Sequence, residues 1–343
     1  MHRLALTAQD NLAVAPMLAD LAGRYPDIED PELIRSAPVL AAKGLPPHLL
    51  AFLDDFRLRE PSALCVISGL DVDQDRLGPT PEHWRDSQIG SRSLNLEIFF
   101  LLCGAALGDV FGWATQQDGR IMHDVLPIKG HEHYELGSNS LQHLSWHTED
   151  SFHPCRGDYV ALMCLKNPYE AETMVCDAGD LDWPNLDVDA LFEPVFTQMP
   201  DNSHLPQNTA ESTGDPTKDR LRARSFELIK SWNENPVRRA VLYGDRQNPY
   251  MALDPYHMKM DDWSERSLEA FQALCEEIEA KMQDVVLHPG DIAFIDNFRA
   301  VHGRRSFRAR YDGSDRWLKR LNITRNLRGS RAWRPAPDDR VIY

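Results

Sequence analysis

The chain has 343 residues, with 37 Lys and Arg against 53 Asp and Glu, a formal net charge of −16. Apolar residues at 42% and charged residues at 26% fit a globular protein with a sizeable core, and 19 Gly with 23 Pro are too few for fibrous or low-complexity material. The acidic balance argues against a nucleic-acid partner, which calls for a basic footprint, and against an anionic membrane surface. The charge is segregated, however. Residues 299–343 carry 12 Arg and 1 Lys against 4 Asp, a net of +9, so the first 298 residues carry −25.

Residues 7–24 are predicted to be helical, with Thr7 as the cap and Leu12, Ala15, Leu18 and Leu21 at helical spacing. Further helices are predicted near 46–56 and near 94–107, the latter ending before Gly108. Residues 63–69 (ALCVISG) read as a buried strand, and 159–165, 239–242, 292–295 and 318–324 read as further short strands. Residues 200–220 mix Asn, Ser, Thr, Gly and Pro and read as a long loop, a candidate lid. Residues 264–285 give the clearest helical pattern. Ser264 caps it, Glu265 sits in the first turn, and Leu268, Phe271, Leu274, Ile278 and Met282 form an apolar stripe. Short strands at irregular spacing with peripheral helices point to a β-sandwich or barrel core decorated by helices.

The six cysteines include no C-x-x-C pair and are too few for a disulfide scaffold, so reduced thiols and a cytoplasmic location are expected. The N-terminal residues read as no signal peptide, because Asp10 interrupts any apolar run. No apolar run reaches the roughly 18 residues of a membrane helix. Neither G-x-G-x-x-G nor G-x-x-x-x-G-K-[ST] occurs, so the common nucleotide folds lack their signature.

The densest group of metal-ligating residues is 145–153 (SWHTEDSFH). On an extended strand, residues two apart point to the same side, so His147 and Glu149 could hold adjacent positions around one metal. Far downstream, PGDIAFIDN (289–297) leads into VHGR (301–304), where His302 follows a predicted strand. Two histidines and one carboxylate form the facial triad suited to non-haem Fe(II) and O₂ chemistry. H-x-E alone is weak, since such pairs are commonly structural. Arg316 strengthens the case. An oxygenase that uses 2-oxoglutarate needs a cation for the far carboxylate, and the planar guanidinium fork meets a carboxylate bidentately. On a strand, Arg316 and Arg320 would share one face, opposite Trp317 and Lys319.

Residues 111–130 (FGWATQQDGRIMHDVLPIKG), WHTEDSF (146–152), RGDYV (156–160), FIDN (294–297), AVHGRR (300–305) and RYDGSDRWLKR (310–320) resemble the clavaminate synthase-like Fe(II)/2-oxoglutarate-dependent oxygenases. Within these, the resemblance is to the viomycin-pathway arginine β-hydroxylase group of antibiotic biosynthesis. It covers most of the chain, with 171–285 matching only in patches. It implies a mainly β fold with α elements: a double-stranded β-helix (jelly-roll) core flanked by helices, in a single domain spanning 1–343. A helical N-terminal region would occupy about 1–60, the core about 61–331, and the lid about 200–220. It implies Fe(II), 2-oxoglutarate and O₂ as cofactor and co-substrates. His147, Glu149 and His302 would be the iron ligands, and Arg316 with Thr173 would hold 2-oxoglutarate. Arg320 would bind the α-carboxylate of a free amino acid, and Gln116 with Glu149 its amino group. Asp201 and Ser203 would belong to the lid, and Asp254 would receive a guanidinium.

The implied reaction is hydroxylation at Cβ of arginine or an arginine-like amino acid, coupled to decarboxylation of 2-oxoglutarate to succinate. One departure bears on the substrate. Tyr256 stands where the arginine hydroxylases carry a second aspartate, so a phenol would supplement Asp254. That leaves open hydroxylation at C3 or C4, or desaturation, of another basic or ureido amino acid: enduracididine, citrulline, lysine or ornithine. A non-catalytic small-molecule-binding barrel and a zinc hydrolase on the same three ligands are the competing classes. The intact triad with Arg316 counts against the first, and the second explains neither Arg316 nor Arg320.

Overall fold

The computed structural model describes residues 1–86, 91–134, 136–209 and 212–343. Three helices open the chain: Ala8–Arg24 (α1), Pro31–Gly44 (α2) and Pro47–Arg59 (α3). Thr7 and Asp10 form a reciprocal capping box on α1. The helix α2 escapes the sequence reading because Pro38 lies inside it, although Asp30 caps it and Pro31 occupies its first turn. Leu94–Leu107 (α4) is apolar on nearly every side, as a helix buried all round must be.

The strands that matter for the site are His2–Ala5 (β1), Leu64–Ser68 (β2), Asp109–Trp113 (β3), His123–Val125 (β4), Leu144–His147 (β5), Tyr159–Lys166 (β6), Thr173–Asp177 (β7), Gln283–Val285 (β8), Ile292–Asp296 (β9), Ala300–Arg304 (β10), Trp317–Thr324 (β11) and Val341–Ile342 (β12). They make two sheets. The larger runs β1-β2-β9-β6-β11-β3-β12, with β4 also on β11, and the smaller runs β8-β7-β10-β5. These two sheets are the jelly-roll core, flanked by helices.

Alternation along β6 shows how the layers divide. Tyr159, Ala161, Met163 and Leu165 join the core beneath α1–α4, while Leu162 and Cys164 pack between the sheets with Val175, Ala293, Ala300 and Leu318. A third cluster covers the outer face of the smaller sheet, where Phe271, Leu274 and Ile278 of Glu265–Lys281 (α6) meet Cys176 and Val301. Pro216–Glu234 (α5) precedes it.

Three boundaries differ from expectation. The helix predicted over 264–285 ends at Lys281, and Gln283–Val285 pairs with β7 instead. The strand predicted over 239–242 is two short strands, Val237–Arg239 and Leu242–Gly244. In the loop predicted over 200–220, residues 216–220 form the start of α5. Asp215 caps that helix and Pro216 pre-sets its first turn. Residues 210–211 of that loop lie outside the described residues. All six cysteines are free. No helix among the described residues is long and apolar enough to cross a membrane.

Candidate active site

The strand β10 lies between β7 and β5, and in the antiparallel register His302 sits directly opposite His147. This cross-strand pairing is what joins two histidines far apart in sequence. Their rings lie 4.8 Å apart. Glu149 follows β5 by two residues, and its backbone is clamped by Asn297. The Asn297 Oδ1 accepts from Glu149 N at 2.7 Å, and the Asn297 Nδ2 donates to the Glu149 carbonyl at 3.0 Å. Glu149 Oε2 then lies 3.5 Å from His147 Nε2 and 3.4 Å from His302 Nε2. One ligand atom from each residue lies within 4.8 Å of the others, close enough to hold one metal ion.

The electrostatics suit a cation. Burial alone would raise Glu149, but the Arg320 guanidinium and hydrogen bonds from His147 and His302 hold its carboxyl well below the usual range. Burial opposes charge on His147, yet Glu149 and Asp254 lift its imidazole to about 10. A site acidic enough to retain that proton favours a divalent cation, whose binding displaces such protons. His147 Nδ1 donates to the Ser145 carbonyl at 2.8 Å, which fixes the tautomer and leaves Nε2 as the metal-facing donor atom.

These three residues line a cavity of about 110 Å³ between the sheets, together with Thr173, Asp201, Ser203, Asp254, His257, Arg304, Arg316 and Arg320. Arg316 and Arg320 flank Leu318 on the cavity side, as even spacing along a strand requires. Arg316 is an underpartnered buried cation. It is 4% exposed, its Nη2 reaches Thr173 Oγ1 only at 3.4 Å, and its Nε has no partner among the described residues. Burial pushes its guanidinium down to about 10. A buried guanidinium in this state calls for an anion. Metal ligands and anion receptor in one cavity therefore fit iron with a chelating dicarboxylate.

Arg320 is held differently. It is ion-paired to Glu149 Oε1, and its Nη2 donates to Gln116 Oε1 and His123 Nδ1, each at 2.8 Å. Burial and the Arg320 charge hold His123 well below its ordinary value, which keeps the ring neutral and able to accept. Gln116 stands behind the lining, donating through Nε2 to Ser203 Oγ, while Ser203 N and Oγ both donate to Asp201 Oδ1. So the ten residues singled out from sequence converge: nine line the cavity, and Gln116 bridges Arg320 to the lid segment.

Four features were not singled out. Asn297 clamps the Glu149 backbone, and the signal was its place in the FIDN motif. His123 orients Arg320. His204, in the lid segment, bonds Asp150 Oδ1 at 2.8 Å and Thr115 Oγ1 at 2.6 Å, and Trp113 Nε1 donates to Asp150 Oδ2 at 2.6 Å. His257 lines the cavity in place of the expected phenol. Tyr256 is 53% exposed and packs edge-on against the His257 ring, because the Pro255–His257 turn directs successive side chains apart.

A two-histidine, one-carboxylate set on a double-stranded β-helix defines a non-haem iron oxygenase. Comparison with known proteins agrees. The model of the TauD/TfdA family (taurine catabolism dioxygenase TauD) matches residues 96–322. The chain is 44% identical over 345 residues to enduracididine beta-hydroxylase of Streptomyces hygroscopicus, covering 100% of both. It is 29% identical to clavaminate synthase 2 of Streptomyces clavuligerus, over 91% of this chain and 90% of that one. Among solved structures, the non-heme iron oxygenase OrfP in complex with Fe, succinate and (3S)-hydroxy-L-Arg matches with a TM-score of 0.92 and 43% identity, covering 100% of both chains. The chain belongs to the TauD/TfdA family, in its clavaminate synthase-like branch.

Proposed function

We propose that the protein is an Fe(II)/2-oxoglutarate-dependent oxygenase that hydroxylates a free L-amino acid of the arginine type at Cβ, releasing succinate. One conjunction carries this reading. The His147–Glu149–His302 set shares its cavity with the underpartnered Arg316 and, on the same strand face, Arg320. The relatives support it: one is a β-hydroxylase of enduracididine, and OrfP holds Fe, succinate and hydroxylated arginine.

His147 and His302 would bind iron through Nε2, and Glu149 through Oε2. Arg316 and Thr173 would receive the far carboxylate of 2-oxoglutarate. Bound there, iron, the keto acid and O₂ supply an oxidant able to attack an unactivated C–H bond. The chain supplies position. The amino-acid head would enter between Arg320 and two of its three acceptors, its carboxylate on Arg320 and its ammonium on Glu149 Oε1 and Gln116 Oε1. The zwitterion thus replaces one internal ion pair with two, and no charge is left unpaired. The carboxylates of Asp254 and Asp201 face the cationic side chain. Ser203 and the buried His204–Asp150 pair hold the lid segment over the site, which excludes water from the reacting carbon. A zinc hydrolase would leave Arg316 without an anion. The six free thiols suit a reducing compartment and support a cytoplasmic location.

The substrate class is tested by amino-acid-stimulated succinate release across arginine, enduracididine, citrulline, ornithine and lysine. A guanidino amino acid is expected to give the highest kcat/KM; stimulation by lysine or ornithine alone would overturn the arginine-type reading. The co-substrate assignment is tested by Arg316→Leu. Its KM for 2-oxoglutarate is expected to rise about a hundredfold, as truncating one partner of a buried charge pair does. A KM within threefold of wild type would remove Arg316 from that role.

A further inference from the structure

We infer that Thr148 is a positioning residue: by holding Leu253 it sets the spacing between the iron ligands and Asp254, and so decides which carbon of the substrate faces the iron. This rests on the arginine-type reading above. Thr148 stands between His147 and Glu149 and is 1% exposed. Both neighbours line the cavity; Thr148 does not, and its side chain goes to Leu253 instead. Thr148 N donates to the Leu253 carbonyl at 2.9 Å, and Thr148 Oγ1 donates to the same carbonyl at 3.2 Å. In return, Leu253 N donates to Thr148 Oγ1 at 3.0 Å. Both backbone polar groups of Leu253 therefore end on the residue between two iron ligands, and the next residue is Asp254, part of the cavity wall.

A second tie acts on the same segment. Arg156 Nη2 donates to the Met251 carbonyl and Nη1 to the Asn297 carbonyl, each at 2.8 Å, with the guanidinium 4.5 Å from the centre of the Phe298 ring. Asn297 is the residue that clamps Glu149. Ala252, between the two ties, bonds instead to Val241 and Gln198. The Asp254 carboxylate is held at 2.9 Å by His257 Nδ1, which lies on the same segment. The distance from the iron ligands to the distal receptor thus depends on Thr148 and Arg156. A substrate anchored at Arg320 and at Asp254 presents the carbon that this distance dictates. Neighbouring carbons are one bond apart, so a displacement of about 1 Å in one anchor changes the C–H bond presented.

The test removes the hydroxyl and keeps the shape. Thr148→Val retains the backbone bond but leaves the buried Leu253 N without its acceptor, so the segment shifts to satisfy it. Thr148→Ser retains the hydroxyl. For wild type and each variant, L-arginine is turned over, and the ratio of Cβ- to Cγ-hydroxylated arginine and the yield of hydroxylated arginine per succinate are measured. Ferrous iron is titrated under argon as a readout independent of turnover. Its affinity is expected to stay within about threefold of wild type, below the roughly 10–100-fold of losing an outer-shell partner, since Ser145 and Asn297 still hold the ligands. In Thr148→Val the share of the second regioisomer is expected to rise about tenfold and the yield per succinate to fall about twofold or more. Thr148→Ser is expected to stay close to wild type in both. A merely structural loss would lower turnover without changing which carbon is hydroxylated. An unchanged ratio and yield in Thr148→Val, or equal changes in Thr148→Ser, overturns the inference. If Thr148→Val does not bind iron, Arg156→Met decides alone: the same shift in ratio supports the inference, and the wild-type ratio overturns it. Failure of the underlying reading is seen separately, in wild type, as arginine recovered without hydroxylation.

Discussion

Replacing His302 by alanine is expected to abolish amino-acid-dependent succinate release, a loss of at least about a thousandfold, well beyond the 10–100-fold of losing an outer-shell partner. His302 faces His147 across the β5/β10 pairing and stands 3.4 Å from Glu149 Oε2. Without it, two protein donors remain, and Glu149 is drawn wholly toward His147 and Arg320. The variant should fold normally, since Glu149, the ion-pair partner of His302, keeps His147 and Arg320. Titration with ferrous iron under argon should show weakened binding, and the thermal midpoint without metal should be close to wild type. Retention of a tenth or more of the activity would remove His302 from the metal set.

The largest expected effect on stability comes from Lys319→Met. Lys319 is fully buried on the far side of β11 from the cavity, with its ammonium 2.9 Å from Glu97 of α4 and 2.6 Å from Asp124 of β4. Burial would lower the Lys319 ammonium, but the two carboxylates hold it above its ordinary value. Glu97 is pulled down in turn, burial notwithstanding, by Lys319 and by hydrogen bonds from Ser93 and Ser91. Methionine fills the volume but leaves two carboxylates in the core without their cation, which costs about 3–5 kcal/mol. Urea unfolding should show that loss, and Arg320, one residue on, should be less well held. A loss below about 1 kcal/mol would mean that water already screens this group.

The same strand shows what sequence can and cannot reveal. Period-two alternation puts Arg316, Leu318 and Arg320 on one face and Trp317 and Lys319 on the other, and this is legible from spacing alone. The burial of Lys319 is not, because it depends on Glu97, more than two hundred residues upstream. Likewise, the i, i+2 relation of His147 and Glu149 is local, whereas the register that sets His302 opposite His147 is a property of the assembled sheet. The distal end of the cavity is where the sequence pattern misleads. It points to Tyr256, but the turn begun by Pro255 turns that side chain outward and brings His257 inward. In the N-terminal region, α1 announces itself through Thr7 and the spacing of Leu18 and Leu21, whereas α2 is hidden by Pro38. The segregated charge also resolves. Within the basic tail, Arg316 and Arg320 turn inward to the cavity, while Arg305 and Arg340 pair with Asp284 and Asp109 near the surface.

The most direct test is turnover under ¹⁸O₂ with ferrous iron, 2-oxoglutarate and L-arginine, followed by mass spectrometry of both products. The expected result is one labelled oxygen in succinate and one in a hydroxylated arginine, in equal amounts, with neither formed when iron is withheld. Arginine recovered unchanged while 2-oxoglutarate is consumed, or a product whose new oxygen comes only from water, would contradict it.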